Sequence, residues 1–271
     1  MFSLINKLAC GYPDAVTDAP FLLLSIRGED EAADDEYRAM MRFAGLGERN
    51  LRRIRLTHQP LGVVDLSQWS GIILGGGPYN VSDEPDAKSS TQQRVEAELA
   101  DLLAEVIARD FPFLGCCYGV GTLGAAVGAV IDRAHSEPVG GVTVELCAAG
   151  RSDPLFAGLP DTFDAFGGHK EAASSLPSDV ACLASSADCP VQAFRVGTNV
   201  YATQFHPELD VDGICTRIDV YKSHGYFAPE TAESLKDAAQ QRIVEYPMRI
   251  LRTFARRYAR PANPGSASGT H

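Results

Sequence analysis

The segment Gly115-Cys116-Cys117-Tyr118-Gly119 does most to limit what this chain can become. It follows the apolar run Phe111-Pro112-Phe113-Leu114 and leads into a small-residue stretch, Val120 to Val130, that reads as the start of a helix. A strand turning sharply into a helix holds one side chain in a strained, exposed position, with a glycine two residues to either side of it. Cys117 occupies that centre, whereas Cys116 has Leu114 and Tyr118 at the matching positions. The pattern singles out Cys117 as a candidate nucleophile and Cys116 as its packed neighbour. Alone, the pentapeptide fits a buried cysteine in a glycine-rich turn equally well.

The segments before the elbow alternate. Pro20–Ile26 is a continuous apolar run, expected as a buried strand. An acidic helix start at Glu29-Asp30-Glu31 leads to an expected helix ending at Gly45. Arg53–Thr57 and Gly71–Leu74 read as further strands, the second running into Gly75-Gly76-Gly77-Pro78. Ser90 to Arg109 carries Val95, Leu99, Leu102, Leu103 and Val106 at helical spacing. Strands alternating with helices indicate an α/β fold, a doubly wound and mostly parallel sheet flanked by helices, flavodoxin-like in type. Ligands of such sheets bind at the carboxyl ends of the strands, where the glycine turn and Cys117 both fall.

Beyond Gly140 the pattern changes to strand segments at 142–146, 191–196 and 199–205, the last two joined by a hairpin at Gly197-Thr198. Helices are expected over 211–222, 229–243 and 247–258. The organisation expected is an N-terminal extension over 1–19, one catalytic domain over 20–259 whose last part, 209–259, is helical, and a disordered Pro/Gly/Ser/Ala tail over 260–271. The composition, 45% hydrophobic and 22% charged over 271 residues, suits such a core. A net charge of -11 argues against nucleic acid or an anionic membrane as partner. No apolar run reaches the roughly 18 residues of a membrane span. Seven cysteines without framework spacing suggest neither disulfides nor a metal site, and point to a reducing cytoplasm. No cofactor is expected, since neither a dinucleotide fingerprint nor a P-loop is present.

A cysteine nucleophile needs a base and a group to orient it. His206 ends the strand pattern Tyr201–Phe205, and Pro207-Glu208 follows. Residues two apart in extended chain point to one side, so Glu208 can accept the ring N–H of His206. Without the elbow, the same residues read as a surface turn. The oxyanion of acyl transfer needs backbone donors. Tyr118, just after the nucleophile, supplies one, and Gly77 of the glycine turn the other.

Together, Gly-Gly-Gly-Pro after a strand, Phe-Leu-Gly-Cys-Cys-Tyr-Gly and Gln-Phe-His-Pro-Glu resemble, in order and content, the class I (triad-type) glutamine amidotransferases, and among them the amidotransferase domain of GMP synthetase. The resemblance covers about residues 20–210 and implies attack by Cys117 on the side-chain amide of glutamine. It also implies a Cys117-His206-Glu208 triad, a γ-glutamyl thioester, and release of ammonia. By the same resemblance, Gly76 and the backbone of Gly168 and Lys170 hold the substrate, while His169 reads as structural. Two positions depart from the family. Gly121 stands where a substrate-binding glutamine is usual, and Glu171 follows Gly167-Gly168-His169-Lys170 in place of the usual aspartate.

The resemblance implies a stand-alone amidohydrolase or the glutaminase subunit of a separate synthetase or ligase. Two other readings compete with it. One is a γ-glutamyl hydrolase or peptidase acting on another γ-glutamyl amide, which the glycine at 121 favours. The other is a non-catalytic binding or regulatory module, which has no need of all three triad residues.

Overall fold

The computed structural model describes residues 19–225 and 227–260. The expected extension over 1–19 and tail over 260–271 therefore lie outside the described residues, apart from Ala19 and Arg260. These two meet, Ala19 N–H donating to Arg260 O at 3.4 Å.

The first half is built as the sequence suggests. β1 (Phe21–Ser25), α1 (Asp30–Ala44), β2 (Leu51–Arg55), β3 (Gly71–Leu74), α2 (Ser90–Ala108), β4 (Phe113–Cys116) and α3 (Tyr118–Val127) alternate along the chain. α1 stops at Gly45, whose φ of 68° is left-handed backbone that glycine adopts without penalty. Ser89 caps α2 by accepting the Gln92 N–H. The five apolar residues predicted on α2 are its buried face. The strand expected at 53–57 is shifted to begin at Leu51, whose buried apolar side chain lies beside Phe21, the Phe21 N–H donating to Asn50 O at 2.8 Å.

The later half has more strands than its sequence announced. β5 (Val130–Asp132), β6 (Glu137–Leu146), α4 (Ala148–Ser152), β7 (Thr162–His169), β8 (Ala172–Ser175), β9 (Ala181–Ser185), β10 (Ala193–Val196) and β11 (Val200–Thr203) follow. The main sheet runs β2-β1-β3-β4-β11-β10-β9-β6-β7. β2, β1, β3, β4 and β11 are parallel, and the strands beyond β11 pair antiparallel. The β10–β11 hairpin turns at Gly197, φ 55°, with the Thr198 and Asn199 N–H groups both donating to Asp110 Oδ1 at 2.9 Å. Strand 142–146 extends back to Glu137 because Glu137 to Glu145 pair with β7.

Helices α5 (Val211–Tyr221), α6 (Ala232–Gln240) and α7 (Met248–Tyr258) complete the chain. The helix expected over 229–243 is shorter than the sequence pattern. A 3-10 turn at Pro229–Thr231 precedes it, and it ends before the exposed Ile243. Alternate residues of the central strands serve opposite faces. Leu23 and Ile73 pack with α1 and α7, while Leu22, Leu24, Ile72 and Leu74 pack under α2 and α3. Being buried on both faces is what makes parallel strands read as unbroken apolar runs. Among the described residues no helix is long and apolar enough to cross a membrane.

Candidate active site

The carboxyl ends of β1, β3, β4 and β11 converge, as doubly wound sheets require. Cys117 lies at the end of β4 with φ 55° and ψ -89°, one of two non-glycine residues with positive φ among those described. Such backbone is costly for a residue with a Cβ and marks an overdetermined position. Its N–H donates to Thr203 O at 2.7 Å, tying the elbow to the strand that delivers His206. The two flanking glycines are not equivalent. A Cβ on Gly115 would lie 2.8 Å from Gly119 Cα, whereas a Cβ on Gly119 meets nothing within 4 Å. The tight turn therefore demands glycine at 115 only, a correction to the symmetric expectation. Cys116 is fully buried, and burial, then the Glu208 and Glu36 carboxylates, push its thiol well above the usual range.

The glycine turn after β3 is crowded from three directions. A Cβ at Gly75 would sit 2.6 Å from Glu36 Oε2, at Gly76 2.5 Å from His206 Cε1, and at Gly77 2.4 Å from Ile26 Cγ1. These glycines let the backbone close over other side chains as well as over a ligand. The same added Cβ at Gly76 would lie 3.3 Å from Cys117 Cβ, so this glycine makes room for both Cys117 and His206. Tyr118 is the first residue of α3, where backbone N–H groups lack intrahelical acceptors.

His206 is held by a contact that sequence reasoning missed. Its N–H donates to Phe166 O at 2.9 Å, an isolated bridge to β7. Its ring Nδ1 donates to Glu208 Oε1 at 2.7 Å, and it lines one cavity with Cys117. Burial works to lower the imidazole's pKa, but the Glu208 carboxylate and Cys117 outweigh it and raise the ring to about 9. Burial likewise works to raise Glu208, yet His206, then Arg217 and Arg27, bring it down to about 2.

Behind the pair lies a buried charge cluster that no motif announced. Glu36 accepts Arg27 Nε at 2.9 Å and Ser25 Oγ at 3.0 Å. Arg27 also donates to Tyr221 Oη at 3.3 Å. Arg217, on α5, stands 3.8 Å from Glu36 and 3.9 Å from Glu208. Only the position of Arg27, directly after β1 at a strand's carboxyl end, was a usable signal.

A cavity opens at Cys117. Gly77, Gly168 and His206 line it, together with Arg27, Arg217 and Tyr221. Gly76, Gly121 and Lys170, the other residues expected to hold substrate, are not among its lining. At Gly121 a Cβ would come within 2.5 Å of Glu171 Oε1, so Glu171 fills the space that the family's glutamine would take. Glu171 accepts the Val81 and Ser82 N–H groups at 2.8 and 2.7 Å. His169 has the structural place expected of it. Nδ1 donates to Glu171 O at 2.9 Å and Nε2 lies 2.8 Å from Glu137 Oε2. Glu137, His169 and Cys189 bring donor atoms within 4.8 Å of one another. Glu137 is already engaged there by His169, Ser186 and Gln192, so hydrogen bonding accounts for the cluster.

The sequence matches the family described as glutamine amidotransferase class-I over residues 48–214. One subunit of the glutamine-hydrolyzing GMP synthase of Thermoplasma acidophilum is 31% identical over 147 residues, 54% of this chain and 66% of that protein. The glutamine-hydrolyzing GMP synthase of Thermomicrobium roseum is 32% identical over 206 residues, 72% of this chain and 36% of that protein. The chain thus spans less than two thirds of the length of these relatives. In fold, a crystallised glutamine amidotransferase from Thermotoga maritima aligns with a TM-score of 0.69 at 21% identity, over 88% of this chain and 98% of that one. With the family's signature matched over more than half its length, the chain belongs to the class I glutamine amidotransferases.

Proposed function

We propose that this protein hydrolyses a γ-glutamyl amide, glutamine in the first instance, through a thioester on Cys117. The observation carrying the reading is the strained backbone of Cys117 set against the His206–Glu208 pair. His206 takes the thiol proton, and the thiolate attacks the amide carbon. The N–H groups of Gly77 and Tyr118 receive the oxyanion. The C–N bond breaks as His206 returns the proton to nitrogen, releasing ammonia and leaving the γ-glutamyl thioester. Water, deprotonated by His206, then attacks the thioester, freeing glutamate and the thiol. Glu208 holds the ring tautomer and supports the imidazolium. Gly76 and the backbone of Gly168 and Lys170 orient the donor.

Relatives that are themselves single subunits of a GMP synthase support a role as glutaminase subunit beside a separate synthetase or ligase. The second reading, hydrolysis of a γ-glutamyl amide other than glutamine, is favoured by Glu171 occupying the space beside Gly121. Ammonia release from glutamine, assayed beside glutamate release from γ-glutamyl amines, decides between them. Turnover of the amines alone, dependent on Cys117, replaces the first reading by the second. No turnover and no thioester on either substrate defeats both.

A further inference from the structure

We infer that Cys147 and Cys182 form an oxidant-sensitive thiol pair, a modification site at which a peroxide closes a disulfide. Their sulfurs are 3.5 Å apart, in contact across 35 positions of the chain. Both thiols are free and half-buried, so neither is sealed from a molecule as small as hydrogen peroxide. Closing that contact to the roughly 2 Å of an S–S bond asks for a shift of about 1.5 Å. No other two cysteines among the described residues are in such contact. Cys116 is fully buried, and the buried Cys189 donates its thiol proton to Val191 O at 3.5 Å.

The fold makes this pair, since the spacing of the two residues does not announce it. β6 and β9 run antiparallel with Leu146 opposite Ala184, and the Cys147 N–H donates to Leu183 O at 2.8 Å. At Cys147 the strand ends and α4 begins. A Cβ on Gly150 would run into Leu183 O, so α4 lies directly on β9 and keeps the two sulfurs close. Burial, then the hydrogen bond to Cys147, pushes the Cys182 thiol up to about 12. Cys182 therefore keeps its proton, which leaves Cys147 as the sulfur that reacts first. The loop closed by the bond contains β7, whose Phe166 O accepts the His206 N–H. The pair thus stands at the two ends of the segment that braces the base, whatever amide Cys117 cleaves.

The Cys147 thiolate attacks one oxygen of hydrogen peroxide, the O–O bond breaks, and the departing hydroxide takes a proton to become water. Cys147 is then a sulfenic acid. The Cys182 thiol loses its proton and attacks that sulfur, forming the S–S bond as the sulfenic hydroxyl leaves as a second water. Two thiols have given up two electrons, and one peroxide has become two waters. In a reducing compartment such a bond is transient, and a thiol reductant restores the pair.

In the test, the full chain is titrated with hydrogen peroxide, remaining thiols are capped with iodoacetamide, and the unreduced digest is read by mass spectrometry. A peptide joined through Cys147 and Cys182 is expected, and dithiothreitol is expected to return both thiols. Cys147→Ser and Cys182→Ser each abolish the cross-link. In the Cys117→Ala chain, where the elbow has no thiol to oxidise, the cross-linked protein is expected to melt about 5 °C or more above the reduced one, because the bond closes a long loop. Joining of Cys182 to Cys189, or to a cysteine of a second molecule, overturns the pair. So does Cys147 carried to sulfinic acid, or left free when Cys117 is already oxidised, with Cys182 still a thiol. These readings come from the unsubstituted chain and hold even if a serine variant fails to fold. A cross-linked protein that melts no higher carries a bond the fold does not accommodate, which also overturns the site.

Discussion

Two buried charges, Glu171 beside Gly121 and Arg217 beside Glu208, differ in sign and in how far their hydrogen bonds are satisfied. Glu171 spends each carboxylate oxygen on a backbone N–H, of Val81 and Ser82, and closes the space beside Gly121. Arg217 is equally buried, but its Nε and Nη2, shut off from solvent, have no hydrogen-bond acceptor, and Nη2 stands 3.8 Å from Glu36 and 3.9 Å from Glu208. A saturated buried charge holds its surroundings through hydrogen bonds, while an unsaturated one is held by the balance of neighbouring charges and is the costlier to bury. Burial alone does not separate the two; the account of donors and acceptors does.

The largest effect is expected at the Cys117 thiol, which shares its cavity with Arg217 and not with Glu171. Cys117→Ala is expected to lower turnover by at least about 10⁴-fold with the fold intact, judged by circular dichroism and ammonia release. Cys116→Ala, one residue away, is expected to keep most activity. Equal loss from both folded variants removes Cys117 from its role. Next in size is Gly76→Ala, whose Cβ would lie 2.5 Å from His206 Cε1. Displacing the base by that contact is expected to cost about 10²-fold in kcat, since small misplacements of reacting groups have effects of that order. Unchanged kcat in this variant shows that the ring tolerates the shift.

The pH dependence examines the charge around Arg217. Glu208 is depressed to about 2 from an ordinary 4.5, so its contribution to stability is present above 4.5 and lost as pH falls through about 2. His206 is raised to about 9 from 6.5, so its contribution is full below 6.5 and lost as pH rises through about 9. Stability from this pair should therefore be greatest between about pH 4.5 and 6.5. Denaturant melts across pH, compared with Glu208→Gln, check this; parallel profiles for the two proteins contradict it.

The smallest effect is expected at the saturated charge, Glu171. Gly121→Gln restores the family's residue but must push Glu171 aside, destabilising the protein by about 1–3 kcal/mol. Adding Glu171→Ala should recover part of that loss, since residues in contact couple by about 0.5–3 kcal/mol. Strictly additive melting shifts show that the two positions do not share one space.

Legibility followed the parallel half of the sheet. β1, β3, α2 and β4 were readable because two-sided burial writes continuous apolar runs and helical spacing into the residues themselves. β7 was not, because Thr162–His169 mixes Asp, Gly and Phe without clean alternation, and its pairing with β6 supplies what its own pattern lacks. Yet β7 places Phe166 O against His206 N–H. Cys117, His206 and Glu208 were legible for a different reason. Each sits in a short segment whose local geometry is demanding: an elbow at Cys117, and an extended His-Pro-Glu in which two side chains share one side.

By itself the sequence determined the strand–helix order of the first half, the strained turn that exposes one thiol of two, and the pairing of His206 with Glu208, because each depends on residues close together in the chain. Only the tertiary structure decided that Gly75, Gly76 and Gly77 answer to Glu36, His206 and Ile26, that Glu171 stands in the space beside Gly121, and that Arg217 reaches the triad from a later helix. Those contacts join residues distant along the chain, and excluded volume and buried charge leave no periodic trace in sequence; they exist only once the strands are side by side.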